Sequence, residues 1–123
     1  MERTLAIIKP GFIHLYNELC NLIKDEGYNI LYSREHFKFS LKEIEKLYEE
    51  HKDKYFFNDL VEYMMSSECI ILILEKENCI NDFRQFLEKS IRPKYSIDYR
   101  HNVMHGSDSF LSFQKESSIF KLI

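Results

Sequence analysis

Apolar residues fall in short blocks whose period changes from block to block, and those changes mark out the elements. Residues 4–8 form an apolar run closed by Lys9-Pro10-Gly11, which predicts a buried strand leaving into a turn. Phe12, Tyr16, Leu19, Cys20 and Ile23 then recur at helical spacing, and Gly27 supplies a stop. Residues 30–39 are rich in β-branched and aromatic side chains. There Phe37 and Phe39 alternate with His36 and Lys38, the pattern of a half-buried strand. Ser40 and Glu43 have the spacing of a capping box, with Leu41, Ile44, Leu47 and Tyr48 on one face behind it. Phe56, Phe57, Leu60, Val61 and Met64 predict another short helix. Residues 69–74 are wholly apolar and read as a strand. Ile80, Phe83 and Leu87 mark a helix opened by Asn78. Residues 103–107 predict a short strand. Ser107, Asp108 and Ser109 are N-cap candidates for a last helix through Phe110, Phe113 and Ile119.

This order of elements is that of an α/β (α+β) chain. It fits a ferredoxin-like split βαβ fold, a four-stranded antiparallel sheet covered by helices. The 123 residues fit one compact domain, 1–123, and 3 glycines and 2 prolines leave little for flexible linkers. A net charge of -3 argues against general binding to nucleic acid or to an anionic membrane surface. It leaves room for a local cluster of cations around a phosphate. The longest apolar run, residues 69–74, is far short of the roughly 20 residues that span a bilayer, and the N-terminus lacks the uncharged core of a secretory signal. Cys20, Cys69 and Cys79 are odd in number, lack CxxC spacing and sit among apolar residues. They read as reduced thiols of a cytoplasmic protein, not as disulfides or zinc ligands.

Of the five histidines, His14, His36, His51 and His101 have the neighbours of ordinary surface or core residues. His105 differs. It sits in Asn102-Val103-Met104-His105-Gly106-Ser107-Asp108-Ser109. Gly106 frees the backbone to turn and leaves space beside the imidazole. Ser107 and Asp108 can cap a helix whose first N–H groups favour an anion. Glu116 follows on that helix, and a carboxylate that binds one ring nitrogen leaves the other as a nucleophile. A capped strand-to-helix turn explains most of these features without any function.

Residues 102–109 resemble the active-site signature of nucleoside diphosphate kinases, in which His-Gly-Ser-Asp-Ser holds a phosphorylated histidine. Residues 2–10, Glu2-Arg3-Thr4-Leu5-Ala6-Ile7-Ile8-Lys9-Pro10, are similar to that family's first strand, and residues 48–57 and 60–64 resemble its nucleotide-binding helix pair. The resemblance implies transfer of the γ-phosphoryl of ATP to a nucleoside diphosphate by a ping-pong route through His105. It implies that Glu116, with Ser107, orients the ring. Lys9 and Asn102 would bind ribose oxygens, with Lys9 also reaching the transferring phosphate beside Tyr48. Arg84 and Arg92 would hold the phosphates, and Phe56 would stack on the base with Leu60 and Tyr99 nearby. It further implies Mg²⁺ carried on the phosphates and a homo-oligomer, a dimer at least. Taken singly, Lys9 also reads as a solvated strand end, Arg84 as an exposed helix residue and Phe56 as core.

The chain departs from the family at several points. Gly11 replaces an acidic residue, Ser67-Glu68 replace a Gly-Pro pair, and Arg100-His101 stand where Gly-Arg usually precedes the asparagine. Between Arg84 and Arg92 only residues 85–91 remain, where the family carries a Thr-Asn-Pro segment and a proline-glycine loop. Ser90 is a poor stand-in for the missing threonine. The alternative to an active kinase is therefore a catalytically weak kinase-like module that binds nucleotide or a partner protein. A generic ferredoxin-like binding domain has no reason to carry the histidine motif.

Overall fold

A computed structural model describes residues 1–121. Strands β1 (Glu2–Ile8), β2 (Asn29–Phe37), β3 (Cys69–Lys76) and β4 (Met104–Gly106) form an antiparallel sheet in the order β2-β3-β1-β4. The helices are α1 (Tyr16–Asp25), α2 (Leu41–Leu47), α3 (Phe57–Met65), α4 (Cys79–Phe86), α5 (Arg92–Tyr95) and α6 (Phe110–Ile119). This is the split βαβ arrangement the element order implied. No helix among the described residues is long and apolar enough to cross a membrane.

The central strands are apolar without interruption because both of their faces are covered. Leu5, Ile7, Ile71 and Ile73 join Ile44, Leu47, Leu60, Met64 and Phe113 of α2, α3 and α6. Ala6, Ile8, Leu72 and Leu74 join Leu19 and Ile23 of α1 and Phe83 and Phe86 of α4. Each large side chain so buried is worth about 1.5–3 kcal/mol. β2 is an edge strand and largely exposed. A left-handed His36, φ 57, and a register shift between Arg34 and Phe37 turn Phe37 and Phe39 into the core.

Local signals held in part. Ser40 and Glu43 make both bonds of the capping box, at 2.9 and 3.1 Å, but Leu41 is 51% exposed instead of lying on the buried face. Asn78 opens α4 through a left-handed backbone, φ 52, without a side-chain cap bond. Glu2 Oε1 accepts from Ile80 N there instead, at 2.8 Å. Ser109 alone caps α6, its Oγ accepting from Ser112 N at 3.1 Å. The shortened stretch 85–91 is not a loop. α4 runs into a π-helical turn, Leu87–Ile91, and on into α5, so one helical path carries both Arg84 and Arg92.

Gly106 is needed for close approach and not for a turn. A Cβ there would lie 3.0 Å from Phe83 Cδ2 and 3.2 Å from Leu87 Cδ1. Gly106→Ala is expected to lower stability by about 1–3 kcal/mol, the usual cost of overpacking, measured by urea unfolding.

Candidate active site

β4 pairs with β1 so that His105 lies opposite Ile7. Cross-strand partners share a face, so the imidazole points toward the α2–α3–α6 layer, while its neighbours Met104 and Gly106 face α1 and α4. Ser107, two residues on, is fully buried. Its Oγ accepts from Leu5 N at 3.2 Å and donates to Glu116 Oε1 at 2.6 Å. The other oxygen of that carboxylate, Oε2, is 2.9 Å from His105 Nε2. An ionised carboxylate only accepts, so Nε2 carries the proton. Nδ1 takes no hydrogen bond among the described residues. The side chains of His105 and Glu116 are 15% and 8% exposed, so the pair is shielded from water.

Two arginines hold the backbone on either side of this histidine. Arg92 donates to the Met104 carbonyl at 3.0 Å, and Arg84 donates to the Gly106 carbonyl at 3.4 Å. Arg92 also pairs with Glu88, and Arg84 with Asp108. Lys9, at the end of β1, is buried, and its Nζ donates to Asn102 Oδ1 at 2.6 Å. Burial first, and then the nearby Arg92 guanidinium, brings the Lys9 ammonium down to about 7. Lys9 N also donates to the Val103 carbonyl at 2.9 Å, and Met104 N to the Asn102 carbonyl at 2.9 Å. These bonds hold Val103 at φ 79, a strained conformation for a β-branched residue and of the kind found where function fixes the backbone.

A cleft of about 150 Å³ opens over His105, lined by Tyr48, His51, Arg84, Arg92, Asp108, Lys115 and Glu116 among others. Tyr48 Oη is buried there with no hydrogen-bond partner among the described residues. Burial, and then the charge of Glu116, raises the Tyr48 phenol well above its usual value, so it stays a neutral donor. The cleft suits a phosphate group better than a whole nucleotide. Phe56 stands beyond it, its ring 5.8 Å from His51, with the Arg100 guanidinium 5.4 Å from its centroid. Leu60 is buried and lines a neighbouring groove with Tyr99, which is 93% exposed.

The structure thus gathers His105, Glu116, Tyr48, Arg84 and Arg92 at one cleft, with Ser107 buried behind Glu116, Lys9 and Asn102 bonded to each other off its lining, and Phe56 outside. Asp108, read from the sequence only as a helix cap, lines the cleft, as does His51 from the 48–57 stretch likened to the nucleotide-binding helix pair. Lys115 lines it without having been singled out, because its place depends on how α6 packs. Ser90, on the π-helical turn, is exposed and lines no part of the cleft. No group of three or more His, Cys, Asp or Glu able to hold a metal occurs among the described residues.

An imidazole with one ring nitrogen bare, set among guanidinium groups and a neutral phenol on a ferredoxin-like sheet, fits a phosphotransferase. Comparison with known proteins makes this specific. The nucleoside diphosphate kinase family profile matches residues 2–121. Nucleoside diphosphate kinases of Salinibacter ruber and Pasteurella multocida are 38% and 36% identical, over 97% and 98% of this chain and 91% and 94% of theirs. The crystal structure of the Aquifex aeolicus nucleoside diphosphate kinase superposes with a TM-score of 0.86 at 27% identity, over 97% of this chain and 94% of that one. The chain belongs to the nucleoside diphosphate kinase family. It is an enzyme that transfers phosphoryl groups between nucleotides, and it works with a divalent cation as nucleotide kinases do.

The depressed Lys9 has a consequence for stability. Its folded value, about 7, lies below the ordinary 10.5, so the unfolded chain binds more protons between the two and stability rises with pH across that window. Lys9→Met removes the burdened ammonium. Its stability relative to the unaltered protein is expected to be greatest below about pH 7 and to fall steadily toward pH 10.5, measured by thermal unfolding at a series of pH values.

Proposed function

We propose that His105 Nδ1 is the nucleophile of a ping-pong reaction that carries the γ-phosphoryl group of a nucleoside triphosphate, typically ATP, to a nucleoside diphosphate. The observation that carries this reading is the Ser107–Glu116–His105 chain of hydrogen bonds, which leaves Nδ1 bare beside two guanidinium groups. The Nδ1 lone pair attacks the γ-phosphorus in line. The bond from phosphorus to the β,γ-bridging oxygen breaks, and the diphosphate leaves with that electron pair. The proton stays on Nε2, and Glu116, which accepts from it, stabilises the positive charge that develops on the ring. In the second half-reaction a terminal phosphate oxygen of the acceptor takes the phosphoryl group back and restores the lone pair.

Arg84 and Arg92 suit the equatorial oxygens, because guanidinium gives charge-assisted bonds about twice as strong as neutral ones. Tyr48 adds a neutral donor. Lys9 and Asn102 serve the ribose oxygens, and Lys9 also the moving phosphate. Phe56 offers a π-face that any base can use, with Leu60 and Tyr99 at its outer side. Such stacking is worth about 1–3 kcal/mol by the scale for single-stranded nucleic acids. Two of the cleft's three carboxylates are engaged, Glu116 with His105 and Ser107, and Asp108 with Arg84; Glu50 alone makes no cage for a metal. A hard cation with oxygen ligands and several waters therefore fits as Mg²⁺ carried on the nucleotide phosphates. When bound it neutralises phosphate charge.

Residues 1–123 form a single kinase domain in this reading. An oligomer, a dimer at least, is supported by the open edge of β2 with Leu31 and Tyr32 exposed. The three buried free cysteines agree with a cytoplasmic setting. The weaker alternative, a kinase-like binding module, draws on the shortened 85–91 stretch. Against it stands the helical path that still brings both arginines to His105. Radiolabelled ATP with Mg²⁺ is expected to give an acid-labile, base-stable phosphoprotein that hands its label to GDP. His105→Ala and excess chelator are each expected to abolish the label. Nucleotide binding without any label in the unaltered protein would favour the binding module.

A further inference from the structure

Residues 96–102 carry Asn102 from the end of α5 toward β4, and none of them is fully buried. Ile97 and Tyr99 are 77% and 93% exposed, so no apolar core holds this loop from within. Polar bonds give it its shape. Asp98 Oδ1 accepts from Arg100 N at 3.0 Å and from His101 N at 2.8 Å, a turn that an aspartate builds on its own backbone. Both oxygens of the same carboxylate lie 2.8 Å from His101 Nδ1, which therefore carries a proton. The backbone N–H of His101, and then its ring, hold the Asp98 carboxyl below its usual range. The His101 carbonyl accepts from Ile97 N at 3.0 Å and closes the loop.

The closed loop is tied to the exit of β1 through one ring. His101 packs edge-on against Tyr63 of α3, their ring centroids 4.3 Å apart. Tyr63 Oη donates to the Pro10 carbonyl at 2.6 Å. Pro10 follows Lys9 and His101 precedes Asn102, the two residues whose side chains are bonded at 2.6 Å. Asn102 also donates its Nδ2 to the Tyr99 carbonyl at 3.0 Å, inside the loop. A path through Asp98, His101, Tyr63 and Pro10 thus ties the two sides of that pair together. The same path braces Val103, whose φ of 79 persists only where its surroundings over-determine it. The Asp98 and His101 side chains are 56% and 40% exposed, and an ion pair so placed adds little to global stability. What the arrangement does fix is the position of Asn102 against Lys9.

We infer that Asp98 and His101 are positioning residues, which pre-form the Lys9–Asn102 pair for the ribose of a bound nucleotide. This rests on the proposed reading of Lys9 and Asn102 as the ribose contacts. Asp98 and His101 act through that pair and not on the nucleotide itself. A loop already closed spares binding the entropy of ordering it. Their contribution is therefore confined to ligands that carry the ribose hydroxyls.

The test compares ADP with 2′,3′-dideoxy-ADP, which has the same base and phosphates and lacks both hydroxyls. Any change at Phe56 or Arg100 therefore cancels between the two ligands. Calorimetry on the full chain gives their dissociation constants. The unaltered protein is expected to bind ADP about tenfold tighter, as hydrogen bonds to the ribose require. Asp98→Ala and His101→Leu are each expected to weaken ADP about fivefold and to leave dideoxy-ADP unchanged, with the melting temperature nearly kept. An unchanged ADP Kd in the folded variants, or equal weakening of both ligands, overturns the inference. Failure of both variants to fold overturns it too, since the pair would then hold up the whole domain; if one folds, its two constants decide. The unaltered protein separates the two levels of the account. If it prefers ADP and the variants keep that preference, only the role of Asp98 and His101 is lost. If it binds both ligands alike, the ribose reading of Lys9 and Asn102 falls.

Discussion

A carboxylate held dry beside an imidazole is the constraint on which the rest depends. Removing such a charge from water costs several kcal/mol unless its oxygens are satisfied. Glu116 meets that condition twice, through Ser107 Oγ and through His105 Nε2. Ser107 is itself locked to β1, since Leu5 N donates to its Oγ and Ser107 N donates to the Leu5 carbonyl. The register of β4 on β1 therefore sets the serine, the serine sets the carboxylate, and the carboxylate sets the ring. Releasing any one link lets the imidazole exchange which of its two nitrogens carries the proton.

The cations are placed by a different device. α4, the π-helical turn Leu87–Ile91 and α5 form one path along the sheet, and its arginines reach the carbonyls on either side of His105. Close approach of α4 is what makes this reach workable, and Gly106 is the residue that permits it. The same packing bears on Lys9. Placed near Arg92 and out of water, it holds its proton only weakly. An incoming phosphate reverses that balance, because it supplies the negative charge that the empty site lacks.

Much of the fold was legible because the strongest signals are local. β1 and β3 read as strands because both faces are covered, so no polar position interrupts them. The capping box at Ser40 and Glu43 needs only its own spacing. The His105 motif stood out through its resemblance to a known signature, with Glu116 following on α6, the helix after it. What could not be read was decided by tertiary contacts. Three residues competed to cap α6, and Ser107 was drawn inward by Glu116, leaving the cap to Ser109. Asn78 looked like a side-chain cap, but Glu2 does that work from the far end of the chain. The stretch 85–91 looked like a truncated loop and is helical, its Leu87 and Ile91 buried against the α1–α4 layer.

The most direct measurement of the central claim is the tautomer of His105 in the unliganded protein, read from the nitrogen resonances of its ring near neutral pH. The account predicts a proton on Nε2, shared with Glu116, and a lone pair on Nδ1. It also predicts that this preference weakens in Glu116→Gln. A ring protonated at Nδ1, or one that samples both forms equally in the unaltered protein, contradicts it.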